Sequence, residues 1–330
     1  MIQTLLSLGL KQLVVGVFAT GLISLISLII IVRLLANKKP NIFRYESERV
    51  YIDRQHGGKK VFPFVDVDKG PTNTTTSKYL SIIVPAYNEE QRLPVMLDEA
   101  IEYLESRSKT DSKFTYEIIV VDDGSTDKTT QVALDYADRY GSDKLRVLTL
   151  FKNRGKGGAV RLGVLSSRGE RVLFADADGA TKFSELAKLE ATLNEANLAK
   201  RIVIGSRAHL EEDAIASRSA IRTFLMHGFH FIVWFFAVRT VRDTQCGFKL
   251  FGRKIANQLF TGLHVERWAF DVELLHVAEH LKLEIREVAV QWTEIDGSKI
   301  VPVFSWLQMG RDVFKVFFMY KTGAWQLPKF

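Results

Sequence analysis

Asp176 and Asp178 close the stretch Arg171-Val-Leu-Phe-Ala-Asp-Ala-Asp-Gly179, in which Val172 to Ala175 are small or apolar and suit a buried strand. In extended chain, residues i and i+2 project to one side, so both carboxylates can aim at one point. Converging carboxylates repel unless a cation lies between them. Mg2+ or Mn2+ suits such a pair, with substrate phosphates completing the shell. The same residues also suit an ordinary polar turn, and the pair alone does not decide.

Three more polar clusters follow apolar runs. Pro85-Ala86-Tyr87-Asn88-Glu89 follows Leu80 to Val84; Asp122-Asp123-Gly-Ser125-Thr-Asp127 follows Glu117 to Val121. Lys152-Asn-Arg154-Gly155-Lys156-Gly157-Gly158 follows Leu145 to Leu150. An ionised Asp at a strand end accepts hydrogen bonds from a ribose or a base N–H, so Asp122 and Asp123 are expected to contact a ligand. Ser125 and Asp127 are better placed to cap the next helix. Glycines and cations before a helix suit either a phosphate cradle or a solvated basic loop. The run matches neither the Walker pattern nor Gly-x-Gly-x-x-Gly.

The elements that must hold these clusters alternate. Strands are predicted at 80–84, 117–121, 145–150, 172–175 and 201–204, with helices at 89–107, 127–140, 156–167 and 183–197. That order predicts a mainly parallel sheet with helices on both faces. Ligands then bind beyond the carboxyl ends of the strands, where every cluster falls.

The 330 residues carry a net charge of +7, which favours an anionic partner: phosphate, lipid or nucleic acid. Hydrophobic content of 47% permits a packed core, and the one cysteine, Cys246, excludes an internal disulfide. Leu13 to Val32 is free of charge, matching the ~20 residues that cross a bilayer as a helix. Lys11 precedes it; Arg33, Lys38 and Lys39 follow. The positive-inside rule then predicts a single-pass anchor over 1–36, spanning about 13–32, with the rest cytosolic. Residues 37–79 read as a linker, in which the Asn73 sequon is expected to carry no glycan; 80–300 are expected to form the α/β domain that holds the polar clusters. Phe224 to Val238 is too short to span, and suits either the core or the membrane interface. Basic and aromatic residues mix over 301–330, which predicts an amphipathic, membrane-interfacial segment.

Taken together, the four clusters in this order resemble family-2 glycosyltransferases of the GT-A fold, an α/β nucleotide-binding fold, over about Leu80 to Trp292. The resemblance implies a nucleotide-sugar site on Pro85, Ala86, Tyr87, Glu89, Asp122, Asp123, Lys156 and Asp176, and a divalent metal, Mg2+ or Mn2+, on Asp176 and Asp178. Gly205-Ser-Arg207-Ala-His-Leu210, Arg242-Asp-Thr-Gln-Cys-Gly-Phe-Lys249 and His264-Val-Glu-Arg-Trp-Ala-Phe-Asp271 look like the dolichyl-phosphate β-glucosyltransferases within that family. This implies glucose transfer from UDP-glucose to dolichyl phosphate, with inversion, for protein N-glycosylation at the cytosolic face of the endoplasmic reticulum membrane.

A phosphate monoester acceptor has a second pKa of ~6 and is largely dianionic at neutral pH. It needs cations more than a base. Arg207, Arg218 and Arg222 follow the fifth strand and are candidates to hold it; Asp178, Arg207 and Asp243 are the candidate catalytic residues. Other readings stay open. One is a dolichyl-phosphate mannosyltransferase using GDP-mannose. Another is a membrane-tethered protein that binds nucleotide or nucleic acid without catalysis, although no zinc-finger or RNP pattern is present and nucleic acid is not an expected partner. Processive synthases resemble one another in Gln-x-x-Arg-Trp, but His264 stands where Gln is expected before Arg267-Trp268. No obligate protein partner is readable.

Overall fold

The computed structural model describes residues 2–65, 76–194, 197–210, 228, 231–295 and 304–328. The apolar runs become strands of one seven-stranded sheet. After a hairpin of β1 (Val50–Asp53) and β2 (Gly58–Val61) come β3 (Lys78–Ala86), β4 (Tyr116–Asp122), β5 (Leu145–Thr149) and β6 (Gly169–Ala175). Then follow β7 (Arg201–Ser206), β8 (Phe248–Gly252) and β9 (Glu284–Ala289). The sheet order is β5-β4-β3-β6-β8-β7-β9. All neighbouring pairs are parallel except those of β8, which runs antiparallel to both β6 and β7.

Side chains alternate faces along each strand. Ile82, Val84 and Val120 pack against α2 (Leu93–Thr110), α3 (Thr129–Tyr140) and α5 (Leu186–Leu193). Ile83, Ile119 and Val121 pack on the other face, with α4 (Lys156–Leu165), α6 (Arg253–Gly262) and α7 (Phe270–His280). Both faces are covered, which is why these strands read as unbroken apolar runs. The helix expected over 183–197 is a short turn, Phe183–Glu185, followed by α5.

At the N-terminus α1 (Ile2–Leu35) contains a stretch, Val15–Leu35, of mean hydropathy 2.7 with none of it buried. It is long and apolar enough to cross a membrane. The linker expected over 37–79 carries ordered structure: a helical turn, Glu46–Arg49, then the β1–β2 hairpin, with Glu48, Asp53, Phe62 and Val65 buried. Its polar composition hid this, because the buried carboxylates there are paired; Asp53, for example, meets Lys60 at 2.5 Å. Asn73 lies outside the described residues.

Of the run 224–238, the structure describes 228 and 231–238. Val233, Ala237 and Val238 enter the core, while Phe231, Trp234 and Phe235 are exposed. The C-terminal helix α8 (Phe304–Lys321) is divided in the same way: Met309, Val313 and Val316 are buried, Leu307 and Phe314 exposed. The two segments meet through Phe236, whose ring lies 5.5 Å from Phe314 and 5.2 Å from Phe317.

Candidate active site

A cavity of about 500 Å³ opens at the carboxyl ends of β3, β4 and β6. Pro85, Ala86, Tyr87, Glu89, Asp123, Lys156, Asp176, Asp178 and Arg207 all line it. Residues that share nothing in sequence are thus gathered by one sheet edge. Glu89 is held by Arg92, with nitrogen–oxygen distances of 2.6 Å. Asn88 takes a left-handed backbone, φ 55°, tolerated by its short polar side chain, and its Oδ1 accepts the Thr126 N–H at 2.8 Å. Ser125 Oγ accepts the Asn88 N–H at 2.9 Å, so this serine ties two loops together rather than capping α3. Asp127 does serve the start of α3, accepting the Thr129 N–H at 2.9 Å.

The two neighbouring carboxylates of the second cluster part company. Asp123 lines the cavity; its Oδ1 accepts the Arg154 N–H at 2.7 Å and its Oδ2 the Gly155 N–H at 2.8 Å. Burial pushes its carboxyl up to about 6, against the pull of those two N–H groups. Asp122 does not line the cavity. Its oxygens accept from Ser125 N at 3.0 Å and from the Thr130 hydroxyl, so it holds the loop and α3 in place of the expected ligand contact.

The glycine run also departs from expectation. A Cβ at Gly155 would lie 2.8 Å from Glu266 O, and one at Gly157 would meet the Phe270 side chain at 2.5 Å. The N–H groups of Arg154 and Gly155 serve Asp123, and that of Gly158 serves Glu266 O at 2.9 Å. These glycines let α4 pack against the 266–270 loop. Of this cluster only Lys156 brings a cation into the cavity wall.

Lys156 Nζ lies 2.6 Å from Asp176 Oδ1. Burial works against the lysine charge, but Asp176 and Asp271 outweigh it and the ammonium is held above its ordinary range. Gly247 backs the Asp176 carboxylate so closely that a Cβ there would collide with it. Asp178 Oδ1 accepts the Ala180 N–H at 3.0 Å; burial, then the neighbouring Asp176, pushes the Asp178 carboxyl up. A divalent cation would relieve that repulsion, and two hard oxygen donors fit it. Among the described residues no group of three or more His, Cys, Asp or Glu is arranged to hold a metal, so further oxygens would come from substrate or water.

Beyond the end of β7, Asp243 clamps Arg207. Its Oδ2 accepts Nε at 2.7 Å and the backbone N–H at 2.9 Å, and its Oδ1 accepts Nη2 at 2.8 Å. Asp243 itself does not line the cavity; Arg207 does, with its guanidinium 5.3 Å from the Trp292 ring centre. Burial opposes the Arg207 charge, but Asp243 more than offsets this and raises its pKa. Arg218 and Arg222 lie outside the described residues.

The cavity also recruits Arg267, Trp268, Asp271 and Trp292, which no motif singled out as site residues. Asp271 is buried and meets the fully buried Lys249 Nζ at 2.5 Å. Lys249 sits on β8, a strand that its charge disguised.

The comparisons agree with this architecture. A family model, Glycosyl transferase family 2, matches residues 81–260. A Homo sapiens protein named dolichyl-phosphate beta-glucosyltransferase is 54% identical over 323 residues, covering 97% of each chain. Drosophila melanogaster and Saccharomyces cerevisiae proteins of the same name are 55% and 37% identical; the first covers 96% of each chain, the second 94% of this chain and 95% of its own. Two structures of glucosyl-3-phosphoglycerate synthase from Mycobacterium tuberculosis share the fold. One, with UDP, has a TM-score of 0.50 at 19% identity, covering 75% of this chain and 81% of that one. The other, with Mn2+, UDP-glucose and phosphoglyceric acid, has 0.51 at 17%, covering 75% and 80%. The chain belongs to glycosyl transferase family 2.

Proposed function

We propose that this protein transfers glucose from UDP-glucose to dolichyl phosphate, giving dolichyl β-D-glucosyl phosphate and UDP. The observation that carries the reading is one cavity lined by a carboxylate pair, Asp176 and Asp178, and by a clamped arginine, Arg207. The first suits a metal-bound diphosphate, the second a phosphate acceptor. Tyr87, Glu89 and Asp123 receive the nucleotide. Asp176 and Asp178 hold Mg2+ or Mn2+, which supplies charge neutralisation for the leaving diphosphate. An acceptor phosphate oxygen attacks the anomeric carbon, the bond to the UDP oxygen breaks, and that electron pair leaves with UDP. The transition state has oxocarbenium character and the α-linked donor gives a β-linked product. The acceptor is already dianionic, so Arg207 orients it and no proton needs to be removed.

A donor-by-acceptor assay on purified protein tests this. UDP-glucose with dolichyl phosphate is expected to give a glucosylated lipid, and GDP-mannose to give product at less than about one hundredth of that rate, because a site built to hydrogen-bond one donor is left with unpaired polar groups by another. Equal or preferential use of GDP-mannose would overturn the donor assignment.

The membrane placement belongs to the same proposal. α1 spans the endoplasmic reticulum membrane, the catalytic domain faces the cytosol, and Phe231, Trp234, Phe235, Leu307 and Phe314 lie in the bilayer interface. Protease added to sealed microsomes is expected to digest the catalytic domain, and Asn73 to carry no glycan. A protected, glycosylated domain would reverse the orientation.

A further inference from the structure

The segment leaving the membrane helix buries a carboxylate that is no part of the cavity. Glu48 is fully buried. Its Oε1 accepts the Phe151 N–H at 3.0 Å; its Oε2 accepts the Tyr45 N–H at 2.9 Å and Arg154 Nη2 at 2.6 Å. Arg154 Nη1 donates to Phe43 O at 2.7 Å. Rings close the same contact: Tyr45 lies 4.9 Å from Phe43 and 4.7 Å from Phe151, with the Arg154 guanidinium 5.6 Å from the Tyr45 ring centre. Residues 43–48 therefore form a strap closed over the loop 151–155.

That loop wraps the nucleotide side of the cavity. The backbone N–H groups of Arg154 and Gly155 bind the Asp123 carboxylate, and the Asn153 side-chain amide donates to Asp123 O at 3.1 Å. Asp123, Asn153, Gly155 and Lys156 line the cavity. One arginine thus faces both ways. Its side chain is held by the strap, and its backbone holds a cavity carboxylate.

Burying a carboxylate costs several kcal/mol unless it is paired, and a pair replaced by apolar packing is often no less stable. A tether that needed only reach would not carry one. The best-attested use of such a pair is to fix register, and the register fixed here is that of the 151–155 loop.

We infer that Glu48 is a positioning residue for the donor half of the site: through Arg154 it sets the 153–156 loop, and with it Asp123 and Lys156, in the geometry that receives a nucleoside diphosphate. This rests on the nucleotide-sugar reading above. The strap is then a component of the donor site, and the stretch after the anchor is more than a spacer.

The test uses the full-length protein in detergent, with UDP and Mg2+ as the probe in calorimetry and steady-state transfer as the second readout. Glu48→Gln keeps the size and one acceptor oxygen, replaces the other with an amide donor, and removes the charge opposite Arg154. It is expected to weaken UDP binding and raise the donor KM at least ~10-fold, the size of one lost charge-assisted contact. The acceptor KM and kcat should stay within about twofold, a split that general loosening of the fold would not produce. Should Glu48→Gln yield no folded protein, Arg154→Lys, which leaves the buried carboxylate a cation, carries the same expectation. Wild-type UDP affinity in the variant, or a parallel rise in both KM values, overturns the inference alone. A wild-type protein that binds no UDP overturns the donor reading and this inference with it.

Discussion

Asp178→Asn is expected to cut turnover at least ~100-fold, the scale of removing one preorganised charged group, while leaving the fold intact. The side chain keeps its volume and an oxygen for the Ala180 N–H. What it loses is charge. In the folded protein that charge is already costly, since burial and Asp176 push the carboxyl up. A raised carboxyl pKa means that ionisation above the unfolded value costs stability, so the amide is expected to melt no lower than wild type at neutral pH. The measurement is transfer rate against Mg2+ and Mn2+ concentration, beside a melting curve. Normal activity at ordinary metal concentration would remove Asp178 from the metal site; a collapsed melting temperature would make it a structural residue.

The second large effect is expected at the arginine clamp. Asp243→Asn leaves one oxygen where Arg207 now finds two, and turns an amide N–H towards a guanidinium. Removing one partner of a fully buried pair costs about 3–5 kcal/mol, but the Arg207 side chain is 32% exposed, so the lower end of charge-assisted bonding, about 1.5 kcal/mol, is the better guide. That is a fall of at least ~10-fold in kcat/KM for the lipid phosphate. Arg207→Lys is expected to match it, because an ammonium cannot meet Asp243 and a phosphate as a planar fork does. UDP affinity should not change in either. If both variants keep wild-type acceptor kinetics, the acceptor phosphate is held elsewhere, and Arg218 and Arg222 become the residues to vary.

The first five strands of the main sheet, β3 to β7, were legible because they are covered on both faces and leave apolar runs in the sequence. β8 was not. Lys249 interrupts its run, and the partner that makes burial tolerable, Asp271, lies on α7. β9 is an edge strand of Glu284-Ile-Arg-Glu-Val-Ala, whose polar positions blur its period. Asp122 and Asp123 illustrate a limit of residue type. Two adjacent carboxylates project to opposite sides, and only the fold decides which side holds the cavity. The glycines at 155–158 show another, since close helix packing and anion binding ask for the same residue. The strap was hidden for a third reason: Glu48 reads as a surface residue until Arg154, more than a hundred positions on, is brought to it.

The antiparallel strand β8 also carries a consequence for biosynthesis. It completes the sheet from the middle, between β6 and β7. About 70 residues separate the end of β6 from the start of β8, so at ordinary translation speed ~4–15 s pass before the inserting strand leaves the ribosome. During that interval β3 to β6 can assemble, and β6 ends the sheet as an open edge of buried-type residues. β7 emerges earlier than β8, and pairing it directly with β6 would fill that edge in the wrong order. The nascent protein therefore passes through a window in which its own next strand is the competitor, and whatever keeps β7 away from β6 governs the yield of correctly ordered sheet.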